Sequence, residues 1–463
     1  MSKAAQEIQV LIEAGNLNQA MKLCNAGLNK DPDDMALLML ASCITSKQGC
    51  WGVTYNLLHR VAQKSPPYPE IYNNLGMAAS SLASATGKDR LLDEAEHCLR
   101  KAYRKDPVAA TCANLALIML HKLQLGAAER LANEALEKEP GNVSARETLG
   151  YIHLHQGKWV TGFGNYEFTL GGKYRSIPPN TVYWEKGVRG KLICAHGEQG
   201  IGDEISYASV LPDAAKDNTF VYECDRRLEG LMRRSLPGIE VHGTRFEDEK
   251  PWRREFDYEC LTGSLCMEYR QKDEDFPRKG FLVADPERRL QWKTLLQTLP
   301  GKKVGIAWTG GLDNTFKHRR SFSLEALLPI LKVPGVSWVS LQYQDPTDEI
   351  EAFTEKHGIE IKHWKRAVEK GVDYDETAAL VSELDCVVST TTAIVHLCGA
   401  LGKKAYVLVP SKNRWFYSSD DSSHRWYDSL ELFKQENKWP VERLAEKLKS
   451  DLRIECPSLI THP

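Results

Sequence analysis

The stretch His196–Ser209, HGEQGIGDEISYAS, sets three glycines and three acids behind a short apolar run, GKLICA (Gly190–Ala195). Glycine allows a backbone to come close to a ligand, and the free N–H groups at a helix start favour an anion. Gly200 and Gly202 are the points of close approach, and Asp203 is the acid beside them. Two further stretches follow strands in the same way. WTGGLDNTFKHRRSFS (Trp308–Ser323) has two glycines and then Lys317, His318, Arg319 and Arg320. STTTA (Ser389–Ala393) precedes a helix expected near Ile394, where hydroxyls and free N–H groups suit phosphate oxygens. Other spacings carry less. Asp273-Glu274-Asp275 spells DxD but lies in a charged connector, QKDEDFPRKG, and is expected at the surface. His153 and His155 sit in helical sequence and complete no ligand motif. No GxSxG, HExxH or Walker loop occurs. The 12 cysteines form no CxxC pair, so reduced thiols and no metal site are expected.

The elements that must position these loops alternate. From Lys191 onward, short apolar or β-branched runs (KLICA, NTFVYEC, GIEVHG, FDYECL, KKVGIAW, VSWVSLQ, IEIKHW, CVVST, KAYVLVP) are separated by helical stretches such as DEISYASVLPDAAK and ETAALVSELD. That alternation marks α/β units with parallel sheets. DPERRLQWKTLLQTL (Asp285–Leu299) divides two such blocks. The expectation is two Rossmann-like lobes, 191–285 and 286–463, with a ligand outside the carboxyl ends of the strands, where all three loops lie.

The first third is different. Pro32, Pro66, Pro107 and Pro140 stand 34, 41 and 33 residues apart, each ending a similar phrase: LNKDPDD, VAQKSPP, YRKDPV, LEKEPGN. Small residues recur where paired helices must touch: Gly76, Ala116 and Gly150, then Ala20, Ala95, Ala102 and Ala135. A 34-residue helix–turn–helix unit of this kind resembles the tetratricopeptide repeat. A polar loop at Ser84–Arg90 accounts for the long interval. A helical solenoid is expected to about residue 170, with Gly150–Leu170 as its cap, followed by a linker over 171–190. The net charge of −2, with 26% charged and 42% hydrophobic residues, argues against a nucleic-acid partner. The absence of a long apolar run or signal segment predicts a cytoplasmic chain without a transmembrane segment.

The run CVVSTTTAIVHLCGALGKKAYVLVP (Cys386–Pro410) resembles the donor-side motif of glycosyltransferase family 9, the heptosyltransferase group of the GT-B fold. With HGEQGIGDEISYAS, KVGIAWTGG, SLQYQD, YDETAALVSELD and RWYDSLELF, the chain looks like bacterial and phage proteins that join tetratricopeptide repeats to such a domain. The resemblance implies a metal-independent transfer of sugar from a nucleotide-sugar donor, with no cofactor required, to a protein or glycan hydroxyl recruited by the repeats. It matches Asp203 to a general base, with Glu198 and Glu204 as fallbacks; an N-cap for a helix starting at Glu204 is the structural alternative. It places Lys317, Arg319 and Arg320 on the leaving diphosphate, and Thr391, Thr392 and Ala393 at the phosphate-binding helix start. It sets Glu376 on the donor ribose and Gln342 in the same pocket. His396 matches the family histidine or is a core imidazole. It also implies a last helix, near Pro440–Leu448, returning to the first lobe. Thr391 departs from the family, many members of which carry an aspartate there. A degenerate scaffold, with the repeats binding protein, is the alternative function.

Overall fold

The computed structural model describes all residues except 1–2, 65, 67, 172–174, 180, 312–314, 370, 372, 419–421 and 454–463. The chain forms two compact units. The first is helical and tetratricopeptide-like: Lys3–Glu13, Leu17–Leu28, Met35–Lys47, Trp51–Gln63, Pro69–Thr86, Arg90–Lys105, Ala109–His121 and Leu125–Lys138 are helices. Turns between its paired helices hold a glycine in the left-handed region at Gly15, Gly49 and Gly87. Leu123 takes that conformation (φ 54°) in the corresponding turn. The small residues are required: Ala20, Ala95, Ala102 and Ala135 are fully buried, and a Cβ at Gly76 would meet Leu99 at 2.7 Å. The expected polar loop at Ser84–Arg90 is in part an extra helical turn. Pro69–Thr86 runs 18 residues, and Gly87 stops it. Residues 315–318 also belong to this unit. There Phe316 packs with Ala83, Leu91 and Leu92, and the His318 ring meets Asp89 at 3.2 Å.

The second unit begins at His153, so most of the expected cap, from His153 to Leu170, belongs to it. Trp159, Phe163 and Tyr166, one face of the helix Trp159–Tyr166, are buried. Trp159 packs on Phe276 with ring centroids 4.7 Å apart, and Phe163 on Trp415 at 6.0 Å. Part of the expected linker joins a sheet: Trp184 N donates to Glu259 O (2.9 Å), and Glu259 N donates to Val182 O (2.9 Å).

Two parallel sheets follow. β1 (Leu192–His196), β2 (Thr219–Glu223), β3 (Glu240–His242) and β4 (Tyr258–Leu261) lie in the order β3-β2-β1-β4. β5 (Lys302–Ala307), β6 (Val336–Ser340), β7 (Ile361–Lys362), β8 (Cys386–Thr390), β9 (Ala405–Val409) and β10 (Leu430–Lys434) lie in the order β10-β9-β8-β5-β6-β7. Strand order reverses between β5 and β8, a switch point where crossover helices diverge and leave a crevice at the strand ends. The three glycine or hydroxyl loops follow β1, β5 and β8.

The last helix, Val441–Asp451, does not return to the first sheet. Its stripe Val441, Leu444, Ala445 and Leu448 is buried in the core that holds Val304, Ile306 and Tyr406 of the second sheet. Tyr406 Oη donates to Asp451 Oδ2 at 2.6 Å. The spacing i, i+3, i+4, i+7 supplies one apolar face, and the second sheet occupies it.

Candidate functional site

The loop after β1 ends sooner than its sequence suggests. The helix spans Ile201–Ala208 with Gly200 at the N-cap position, so Asp203 lies in its first turn and caps nothing. This corrects the capping alternative. Gly202 is needed for packing between helices: a Cβ there would meet His396 Cδ2 at 2.8 Å and Ala393 Cα at 3.0 Å. The helix after β1 thus rests directly on the start of the helix Ala393–Ala400 after β8. A Cβ at Gly200 would meet only the Asp203 carboxylate, at 3.5 Å, so space does not demand glycine there.

The early helix start sorts the three acids of the stretch. Glu198 is fully buried; its carboxylate accepts from Arg175 Nε (2.7 Å), Tyr166 Oη (3.1 Å) and Gly263 N (2.6 Å). Glu204 is also fully buried; it accepts from Asp225 N at 2.7 Å and pairs with Arg245. Burial raises the Glu204 carboxyl to about 7 against the pull of Arg245. Neither is placed to serve as a fallback base. Asp203 is the one left partly accessible, with its side chain 13% exposed. Its Oδ1 is 3.5 Å from Arg414 Nη1, and that oxygen is buried with no hydrogen-bond partner among the described residues.

Arg320 belongs to the same group. Its guanidinium lies where a Cβ on Gly311 would be, and Gly311 has φ 90°. Burial and the neighbouring Arg414 lower the Arg320 pKa, while Tyr417, Asp203 and Tyr343 oppose that shift. Arg414 and Tyr417 follow β9 and were not singled out in the sequence. The signal was available: SKNRWFY begins just past the carboxyl end of a strand, the position that marked the other loops.

The remaining predicted residues divide between loop shaping and other places. Gln342 is buried and accepts from Trp308 N (3.1 Å) and Thr309 N (3.2 Å), so it fixes the loop after β5. Thr392 caps its helix, accepting from Ile394 N at 3.3 Å, and a Cβ at Gly310 would press on it. Thr391 is buried beside it and Ala393 meets Gly202. The His396 ring hydrogen-bonds Ser206 Oγ through Nδ1 (2.7 Å) and Tyr417 Oη through Nε2 (3.2 Å). Burial, with Arg414 and Arg320 nearby, lowers its pKa to about 4, so at neutral pH it is an uncharged spacer between the two helices. Arg319 is half-buried in the short turn Lys317–Arg320. Lys317 falls within the first unit. Glu376 is elsewhere: it accepts from Trp292 Nε1 at 3.0 Å and lines a cavity of about 630 Å³ with Asp285, Arg288, Arg366 and Asp373. The DxD stretch is a surface turn, where Asp273 accepts from Trp159 Nε1 at 3.1 Å.

Beneath the loop lies a charge network that the sequence did not reveal. His196, the last residue of β1, meets Glu223 through Nδ1 and Glu259 through Nε2, each at 2.7 Å. Lys250 reaches Glu223 (2.6 Å) and Arg253 reaches Glu259 (2.5 Å). Burial alone would lower the His196 pKa, but Cys194, Glu223 and Glu259 hold it well above its usual value. Against burial, His196 and Lys250 bring Glu223 down to about 2. Cys194, His196 and Glu259 lie within ligand distance of one another, 4.8 Å, but both imidazole nitrogens are engaged by carboxylates.

No family model matches the chain. It is 28% identical to Protein FlbA of Caulobacter vibrioides over 453 residues, spanning 91% of this chain and 73% of that one. Three solved structures resemble 35–36% of the chain. They are MamA (16% identity, 92% of that chain, TM-score 0.31), a thermophilic TPR protein of Thermus thermophilus (21%, 87%, 0.32), and YrrB, a TPR protein with an unusual peptide-binding site (11%, 82%, 0.30). Among the described residues, no helix is long and apolar enough to cross a membrane.

Proposed function

We propose that the second unit transfers a sugar from a nucleotide-sugar donor to an acceptor hydroxyl, and that the repeats bind the protein or peptide that presents the acceptor. The observation that carries this reading is the Asp203 carboxylate, whose buried Oδ1 has no hydrogen-bond partner among the described residues and lies 3.5 Å from Arg414, with Arg320 in electrostatic reach. A buried acceptor without a donor costs about 1–3 kcal/mol. An incoming hydroxyl that donates to Asp203 removes the cost and is deprotonated as the nucleotide leaves. Arg320 and Arg414 offset charge on the leaving diphosphate, and the N–H groups of Thr392 and Ala393 at a helix start suit its oxygens. Two guanidinium groups supply the charge that a divalent metal would otherwise bring. UDP-, GDP- or ADP-type nucleotides are expected to raise the melting temperature without added metal. A rise seen only with Mg²⁺ or Mn²⁺ contradicts this arrangement.

Thr391, where related donor motifs carry an aspartate, favours a second reading, a scaffold whose transferase unit no longer turns over. Incubation of the protein with nucleotide sugars separates the two: the scaffold releases no nucleotide from any donor.

A further inference from the structure

A second group of side chains lies at the carboxyl ends of β6 and β7. Asp345 follows β6, His363 follows β7, and Glu369 follows the helical turn Lys365–Val368. One ligand atom from each lies within 4.8 Å of the others. Both ring nitrogens of His363 are buried and lack a hydrogen-bond partner among the described residues. An imidazole with both nitrogens shielded and unpaired loses about 1–3 kcal/mol for each missing bond. Between the carboxylates sits the Lys365 ammonium, 2.7 Å from Asp345 and 3.7 Å from Glu369. That cation neutralises the acids but leaves the imidazole unsatisfied.

We infer that Asp345, His363 and Glu369 form a binding site for a divalent transition-metal ion, which displaces the Lys365 ammonium. One imidazole nitrogen and two carboxylate oxygens suit Zn²⁺ or Co²⁺, with water completing the shell. Mg²⁺ prefers oxygen ligands alone and is disfavoured. Lys365 is exposed on a flexible stem, so it can swing away. The bound ion ties the segment after β6, which begins at Leu341, to β7 and the turn beyond it. The site shares no residue with the Asp203 group, and the proposed transfer does not require it.

The test uses the full chain without a histidine tag. Calorimetry with Zn²⁺ and visible absorption with Co²⁺ are expected to show one saturable site. His363→Ala and Asp345→Asn should each weaken it by at least about tenfold, and Lys365→Met should tighten it by removing the competing cation. Far-UV circular dichroism checks that each variant is folded. Binding unchanged in folded His363→Ala, or no binding to either wild type or Lys365→Met, overturns the inference. Neither result bears on nucleotide binding at Asp203, which is measured separately without metal.

Discussion

Two charged groups flank the end of β1 and are built in opposite ways. In the His196–Glu223–Glu259 network each imidazole nitrogen lies on a carboxylate and each carboxylate reaches a second cation, so the acids are fully engaged. Arg253 Nη1 there has no hydrogen-bond partner among the described residues. The Asp203 group stays open. Arg414 approaches to 3.5 Å, and Oδ1 still lacks a hydrogen bond among the described residues. Buried charges that are fully paired hold a structure in register. A carboxylate left incomplete is a place for another molecule to complete, which is why function is assigned to the second group and support to the first.

The largest expected effect breaks the His196 network. Glu223→Gln leaves His196⁺ and Lys250 with one carboxylate fewer in a buried setting, and should destabilise by about 3–5 kcal/mol in urea unfolding at pH 7. The sign with pH is fixed by the shifts. Glu223 is lowered to about 2 from 4.5, so its contribution is present above about 4.5 and fades as pH falls towards 2. His196 is raised well above 6.5, so its contribution is complete below 6.5 and is lost as pH rises through the folded value. The gap between wild type and Glu223→Gln should therefore be wide at pH 5–6 and shrink in acid. A gap that does not change with pH would mean that the network is not charged.

Next in size is the open group. Arg320→Met should weaken nucleotide binding by about 10–100-fold, the worth of a hydrogen bond to a charged partner, with little change in unfolding. Equal loss of stability and binding would instead place Arg320 with the supporting residues.

The same contrast shows what the sequence carried. Nine of the strands are legible as apolar runs, and their order of appearance places the loops at strand ends. β10 was missed because SLELFK offers a short, charge-flanked run. The sorting of Glu198, Asp203 and Glu204 was not legible. It depends on the helix beginning at Ile201, and a shift of three residues in its start rotates a different acid inward. Lys317 and Glu376 looked like site residues because they sit in the right loops and helices. Which neighbour captures a side chain is a property of packing, and Trp292 takes Glu376. Gly202 was read as space for a ligand, whereas the space is filled by Ala393 and His396.

That last point yields a smaller prediction. Gly202→Ala should destabilise the second unit by about 1–3 kcal/mol through overpacking, measured as a lower urea midpoint. A neutral result would show that the two helices separate easily at this point. Smallest is Leu123→Gly in the first unit. Leu123 holds φ 54° where other repeat turns use glycine, so relief of left-handed strain should stabilise by about 0.5–1 kcal/mol. A loss of stability would mean that the Leu123 side chain contributes more than its backbone costs.

The most direct measurement compares nucleotide release from nucleotide sugars by wild type and Asp203→Asn, in the presence of acceptor and without metal. Asparagine keeps the shape, and Asp203 caps no helix, so folding and nucleotide binding should stay nearly unchanged. It cannot take a proton, so transfer should fall by roughly 10²–10⁴-fold. Near-normal turnover in Asp203→Asn would contradict the account, and so would a wild-type chain that releases no nucleotide from any donor.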